Sequence, residues 1–421
     1  MDQPAPKKQK AALGFIFATL LIDTIGFGII IPDVPKLIQH LTGVSLSEAA
    51  TYGAWLMAAY AGMQFIFGPL VGNLSDKYGR RPILLCSLMG FGVDYLFSAF
   101  APTIGWLFVG RIIAGMTGAS FTTASAYIAD VSTDENRAAN FGLVGMAFAA
   151  GFILGPAIGG FLGDWDIHYP FIAAAVLALV NAGYGFFFLP ESLAPELRRP
   201  LEIKKIIPGL SIIELKKYKS VFGLLASLFL IYFAVQAVQM DWTYYTMYKF
   251  QWSQRLVGIS LMVVGVLVGA VQGGLIRVVI PKLGQERCIW IGLLMYALGL
   301  VLFGFATQSW MMFAFLVPYC LGGIAGPALQ GYISGGVPAN EQGNLQGGLT
   351  GIMSVTTIVA PWFMGVLFHY YTEKGHPQFP GAPFIFGGAL MLLAAILAVL
   401  SFKRTLREAS AQQTTPLETN N

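Results

Sequence analysis

Charge is scarce in this 421-residue chain. Asp, Glu, Lys and Arg together make up 11% of it, against about a quarter in an ordinary soluble domain. So little charge cannot cover a globule of this size, which excludes a soluble multidomain protein, and a 56% hydrophobic content excludes a disordered chain. Cysteine is nearly absent as well. Cys86, Cys288 and Cys320 form an odd, scattered set with no CxxC pair, so neither a disulfide framework nor a zinc site is written here. Four histidines, His40, His168, His369 and His376, stand apart near segment ends and read as loop residues. No GxxxxGK[ST] loop is present, which argues against direct ATP drive. With no HExxH or GxSxG either, a membrane hydrolase lacks its parts, and the reading is not an enzyme, with no metal centre and no resident cofactor. A net charge of +4, gathered on one side of the chain's hydropathy pattern, does not suggest a nucleic-acid partner.

What is abundant is apolar length. Mean hydropathy is +0.67. A bilayer core of about 30 Å takes about 20 apolar residues per helix, and twelve such segments can be placed at 11–32, 50–73, 82–100, 105–128, 138–162, 169–189, 220–246, 254–278, 286–305, 310–333, 343–368 and 383–402. Lys7-Lys8-Gln9-Lys10 before the first segment mimics a signal peptide. The apolar run continues past Asp23 to Ile31 with no small-x-small cleavage site, so the segment is read as retained. Fifty glycines in such a chain suggest close helix packing in lipid.

Lys and Arg divide unevenly across this pattern. With the N-terminus in the cytoplasm, 20 of the 25 fall on the cytoplasmic side, four (Lys36, Lys249, Arg255 and Lys374) on the other, and Arg111 within a segment. That asymmetry predicts twelve all-α membrane helices with both termini inside. The expected organisation is a cytoplasmic N-terminus at 1–10, a six-helix bundle at 11–189, a cytoplasmic linker at 190–219, a second six-helix bundle at 220–402 and a cytoplasmic tail at 403–421. The apolar turn Ile203–Leu215 reads either as a membrane-surface element or as solvated linker. From Ala409 the tail reads as unstructured.

The halves repeat. Gly72 to Arg81, after segment 2, is echoed by Gly274, Arg277, Gly284 and Arg287 after segment 8, and Gly155-Pro156 in segment 5 by Ala360-Pro361 in segment 11. Both echoes lie about 200 residues apart, the pattern of two pseudo-symmetric bundles with a small-molecule site between them near the midplane.

Five features carry chemistry. Gly72-Asn73-Leu74-Ser75-Asp76-Lys77-Tyr78-Gly79-Arg80-Arg81 fills the short loop between segments 2 and 3. Its Asp76 can pair with a cation or cap a helix, and Gly72, Asp76, Lys77, Gly79, Arg80 and Arg81 are the candidate gate, the plainer reading being positive-inside anchoring. Gly142, Gly151, Gly155, Pro156, Gly159 and Gly160 run along segment 5. The 151, 155, 159 spacing lines one face for close approach of another helix, and Pro156 favours a kink. Asp23 is an intramembrane carboxyl in segment 1, ahead of Pro32 and Pro35, and is either a proton carrier or a hydrogen-bonded structural residue. Asp94 and Arg111 lie 8 residues before and 9 after the turn near Pro102. Both fall roughly 12–14 Å from that turn, at a depth where they can pair. Arg111 also heads a thin stripe of Gly115, Gly118, Thr122 and Ser125. The pair is read as a coupling element or as a static salt bridge. Finally, Asp241, Tyr245 and Tyr248 share a face of segment 7 suited to an organic cation, or to an interfacial aromatic belt. Tyr232, Gln236 and Gln239 form a second polar stripe there. Gln64, Asn181, Gln330 and Gln346 are further midmembrane amides that can serve as helix glue or ligand contacts.

These residues together resemble the major facilitator superfamily. Gly72–Arg81 matches its loop 2–3 signature, the segment 5 glycines match the antiporter signature, and Asp23-x-x-Gly26-x-Gly28-x-x-x-Pro32-x-x-Pro35 is similar to the segment 1 signature of twelve-helix drug/proton antiporters. Arg111-x-x-x-Gly115-x-x-Gly118-Ala119 is similar to the signature tied to proton transfer. Phe91–Leu96, Pro327–Gly331 and Val337–Gly343 resemble the tetracycline/proton antiporters, and the likeness spans residues 11–402. It implies a proton-coupled exporter of tetracycline-like or other small amphipathic drugs working by alternating access, with protons as coupling ion and magnesium arriving only with the substrate. Asp23, Asp94 and Arg111 would serve proton coupling. Gln64, Thr122, Gln236, Gln239, Asp241, Tyr245, Gln330 and Gln346 are the candidate substrate contacts. A monomer in a bacterial inner membrane is expected. One departure stands out: those exporters carry a further carboxylate in segment 9, whereas Ile289–Phe305 contains no acid and Tyr296 falls near that place. Asp241 is the candidate replacement. The alternatives are a metabolite symporter or facilitator of the same fold, and a non-transporting membrane receptor or scaffold.

Overall fold

The computed structural model describes residues 6–118, 120–132, 137–198, 200, 222–335, 337 and 342–414, and among them it is helical with no strand. Among the described residues twelve helices are long and apolar enough to cross a membrane. Spans 1 to 6 are Leu13–Ile30, Leu46–Tyr78, Arg80–Phe100, Ile104–Asp130, Gly145–Trp165 and Tyr169–Phe188. Spans 7 to 12 are Phe222–Phe250, Gln254–Leu283, Gln285–Phe305, Ser309–Gly335, Leu345–Tyr370 and Ala382–Lys403. All twelve segments read from hydropathy are present. Residues such as Val180, Phe187 and Ile396 are more than half exposed, as lipid-facing side chains should be.

Several boundaries differ from the hydropathy reading for local reasons. Span 2 begins at Leu46, ahead of the apolar run, because the Ser45 hydroxyl accepts the Glu48 amide at 3.2 Å in a Ser-x-x-Glu cap. Spans 4 and 10 are each broken. Helix Ile104–Thr117 ends at Gly118 and resumes as Ser120–Asp130; helix Ser309–Gly322 ends at Gly323 and resumes as Ala325–Gly335. Span 8 carries a π turn at Val271–Leu275, where Gly273 and Gly274 loosen the ladder. The last helix runs on to Thr414, past Ala409, because the sequence from Lys403 to Gln413 is rich in good helix formers. The apolar stretch 203–215 lies outside the described residues.

The repeat reappears as backbone geometry. Gly79 and Gly284 end spans 2 and 8 with φ of 109° and 79°, a region open to glycine and strained for other residues, and each starts the next helix directly. The breaks of spans 4 and 10, at Gly118 and Gly323, keep the same offset of about 200 residues.

Two compact units emerge. The first takes in Met1–Pro208 with Gln239–Val266 and Thr357–Pro380; the second takes in Gly209–Val238, Leu267–Thr356 and Gly381–Asn421. Within the first, the segment 5 glycines do what their spacing predicts. A Cβ on Gly151 would strike Thr24, on Gly155 it would strike Ile25 and Gly28, and on Gly159 it would strike the Ile29 carbonyl. These three seat span 1. Gly160 meets span 8 at Gln254, and Pro156 faces both Gly28 of span 1 and Gly258 of span 8. In lipid no hydrophobic force drives such pairing, so backbone contact of this kind is what holds the spans together. Gly159→Val therefore costs at least the roughly 1–3 kcal/mol of an overpacked site. Thermal unfolding in detergent should show a clear loss, while Gly145→Ala, into open space, leaves it unchanged.

Candidate functional site

Two carboxyls of the first unit, Asp94 and Asp23, sit in different settings. Asp94 is completely buried. Arg111 Nε donates to its Oδ1 at 3.0 Å and Nη2 also pairs with Oδ2, as the matched depths predict. Gly110 is what lets the carboxyl fit, since a Cβ there would collide with Asp94. The guanidinium also lies over the Tyr60 ring, 5.7 Å from its centroid. Asp23 is partly exposed and accepts from Ser120 Oγ at 2.7 Å. Asp94 is thus matched in charge, while Asp23 is held by a neutral hydroxyl. Of the two, Asp23 is the more open.

The break in span 4 creates this arrangement. Interrupting a helix in lipid frees backbone groups that must find partners. Gln64 Nε2 donates to the freed Gly118 carbonyl at 2.7 Å and to Tyr60 Oη at 3.2 Å. Two residues past the break, Ser120 turns its hydroxyl to Asp23. Tyr60, Gln64 and Ser120 therefore link the surroundings of the two carboxyls through one broken helix. Tyr60 and Ser120 carry no mark in the sequence, because their importance comes from the break.

Around the loop between spans 2 and 3 the predicted gate residues build a charged network. Arg80 Nη1 donates to Asp76 Oδ1 at 2.5 Å and to Ser75 Oγ at 3.0 Å. Its Nε donates to Asp130 Oδ2 at 3.1 Å, at the end of span 4. Glu191 Oε1 accepts the Arg80 amide at 2.8 Å and Oε2 the Arg81 amide at 3.2 Å. The carboxylate thus caps span 3 where its macrodipole is positive. Arg81 also bonds the Phe186 carbonyl, and Lys77 lies 5.0 Å from the Tyr78 ring centroid. Gly79 completes the turn, with no room for a Cβ beside Glu191. Gly72, Asp76, Arg80 and Thr122 border a cavity of about 310 Å³ next to this network. Asp130 and Glu191 were missed from sequence. An acid closing a segment opposite an arginine loop was the signal for Asp130, and Glu191 had none.

The other candidates are placed differently from expectation. Asp241 and Tyr245 are fully buried, so neither presents a surface to a ligand in this conformation. Tyr245 Oη accepts from Lys249 at 3.1 Å, and Tyr248 donates to the Thr372 carbonyl at 3.1 Å. Both carboxyl oxygens of Asp241 and the hydroxyl of Tyr244, one turn on, are buried without a hydrogen-bond partner. The second polar stripe splits, with Gln239 exposed and Gln236 buried. Asn181 is buried and donates to the Thr19 carbonyl at 2.9 Å, gluing spans 6 and 1. Within the second unit, Gln330 Nε2 reaches Gln346 Oε1 at 3.4 Å. Tyr296, where an acid was expected, packs on Tyr319 at 5.1 Å and against Gly322 at the break of span 10. Among the described residues no group of His, Cys, Asp or Glu stands together as a metal site.

The sequence pattern of the Major Facilitator Superfamily matches residues 16–289 and 224–419. The chain belongs to this superfamily. It is therefore an integral, multi-pass membrane transporter rather than an enzyme, with a small molecule as its partner. Among superfamily relatives, the class C tetracycline resistance protein of Escherichia coli is 37% identical over 386 residues, covering 92% of this chain and 96% of that protein. The class H tetracycline resistance protein of Pasteurella multocida is 34% identical, covering 94% and 97%. In fold, a human organic anion transporter superposes with a TM-score of 0.71 at 21% identity, over 94% of this chain and all of that one. A D-xylose–proton symporter also superposes with a TM-score of 0.71, at 19% identity, over 92% and 96%.

Proposed function

We propose that this transporter exports tetracycline-like or related small amphipathic drugs in exchange for protons, by alternating access. It sits in a bacterial inner membrane with both termini cytoplasmic, as a monomer. The observation that carries the reading is the contrast between Asp23, held by a neutral hydroxyl and partly open, and Asp94, locked to Arg111. One carboxyl can trade its proton for a ligand while the other holds the surrounding helices. The likeness to tetracycline resistance proteins over nine-tenths of the chain supports the substrate class. Gln64, Thr122, Gln330 and Gln346 are the polar contacts proposed for such a substrate. Asp241 is the proposed stand-in for the missing span 9 acid. Protons are the coupling ion, and magnesium takes part only as cargo of the substrate.

The test is uptake of tetracycline into inverted vesicles carrying the protein, with and without magnesium. Uptake that needs the proton gradient supports the proposal. Uptake that persists after a protonophore places the protein with facilitators, and no uptake by folded protein moves the substrate outside the tetracyclines.

A further inference from the structure

Asp33 lies in the turn after span 1, outside the membrane-spanning segments, yet it is completely buried. Three elements of the first unit close over it. Gln254, the first residue of span 8, donates from Nε2 to Asp33 Oδ1 at 2.5 Å. The other face of the same amide, Oε1, accepts from Lys36 Nζ at 2.7 Å on the helix Val34–Thr42. From span 5, Gly163 supplies the space: a Cβ there would collide with both Asp33 Oδ1 and Gln254 Nε2. Asp33 Oδ2 is buried with no hydrogen-bond partner. The charged groups acting on the carboxyl are Lys36 and Asp164 at the end of span 5, and Arg255 follows Gln254 in the chain. Arg255 is turned away, its amide on Asp164 Oδ1 at 3.4 Å and its guanidinium over Phe161 at 4.4 Å. The rings of His40 and His168, edge to face, also belong to this unit, with His168 Nδ1 on the Ala99 carbonyl at 2.9 Å.

We propose that Asp33 is a further proton-binding residue of the transport cycle, and that its protonated form latches span 8 to spans 1 and 5 at the external end. This rests on the orientation proposed above. The chemistry follows from the unpartnered Oδ2. A neutral carboxyl fits a dry pocket that offers one amide donor, whereas a carboxylate there lacks the second donor and the water it needs. Burial accordingly pushes the Asp33 carboxyl up to about 8, against the opposing pull of the Gln254 hydrogen bond and Lys36. Once span 8 moves away and water enters, the group returns to the ordinary range near 4. The closed form then holds the proton more tightly than the open form. Closure is fully favoured below about pH 4, weakens by up to tenfold per pH unit as pH rises, and changes no further above about 8. A proton taken from the outside thus seals the outside, the order of events that an exporter driven by inward protons requires.

The test reads access rather than transport, so its failure leaves the proposed function standing. Ser47 is buried at the same end of the unit, with its hydroxyl 3.0 Å from His369 Nδ1 and 2.5 Å from Thr372 Oγ1. In a background of C86S, C288S and C320S, S47C is labelled from outside with a membrane-impermeant maleimide, normalised to the exposed S45C. Labelling should rise about tenfold or more between pH 5.5 and 8 and level off above. Adding D33N, which keeps the shape and the neutral state, should leave it low and flat within about twofold. Every group other than Asp33 is the same in that comparison. Q254L should raise labelling at pH 5.5 to the level otherwise seen at pH 8, with S45C labelling and size-exclusion profile unchanged. An unaltered pH rise in D33N, a flat profile without it, or no effect of Q254L would overturn the proposal.

Discussion

Asp23→Asn abolishes uphill transport while leaving a folded protein that still equilibrates substrate. The expectation follows from what drives accumulation. For an exchange moving one net charge, a potential of about 100 mV contributes about 2.3 kcal/mol per proton, and one pH unit adds about 1.4 kcal/mol, enough together for a roughly 500-fold concentration ratio. Asparagine keeps the size and the hydrogen bond to Ser120 but cannot carry a proton across. The ratio reached in energised inverted vesicles should fall from hundreds to about one, and counterflow of preloaded substrate should persist. Ser120→Ala is expected to be far milder, because it removes one hydrogen bond, worth about 0.5–1.5 kcal/mol, and keeps the carboxyl. A D23N protein that still accumulates drug would assign the coupling proton elsewhere, with Asp94 and Asp241 next.

Removing Arg111 has the largest effect expected on stability. Asp94 is fully buried and Arg111 supplies its matching charge. Breaking such a pair from one side costs about 3–5 kcal/mol because the remaining charge is stranded, whereas replacing both members is often close to neutral. Arg111→Gln alone should therefore lower the thermal midpoint sharply in detergent. Asp94→Asn together with Arg111→Gln should recover most of that loss, since the two amides can hydrogen-bond in the same space. Transport by the double variant then separates the two readings of the pair. Loss of transport in a protein of restored stability marks the charges as part of the cycle. Normal transport marks them as packing.

The parts of this architecture that were legible beforehand share one property: each is set by residues close together in the chain. Segment 5 shows its packing face through small residues one turn apart, and span 1 lies on that face. Asp94 and Arg111 flank a single short turn, so equal distances along two antiparallel helices bring them together. Gly79 and Gly284 sit in repeated loops whose tightness needs glycine. Hidden from the same reading were features made by distant partners. Hydropathy runs smoothly through Gly118 and Gly323, so the breaks of spans 4 and 10, and with them Ser120 and Tyr60, left no trace. Glu191 reaches its amides across about a hundred residues of chain. Asp33 looks like an ordinary turn residue between Pro32 and Pro35 until Gln254 and Gly163 close over it. Tyr245 and Tyr248 do lie near an acid on one helix face, yet Lys249 and Thr372 engage them. Helical spacing fixed their direction and said nothing of what met them.

The central claim is that drug and proton move in opposite directions through Asp23. Its most direct test is the internal pH of acid-loaded inverted vesicles when tetracycline is added. The account predicts that the lumen turns alkaline as drug enters, with an initial rate that follows drug concentration, and that D23N vesicles show no change. Drug entry without proton exit, or protons entering the lumen together with the drug, would contradict it.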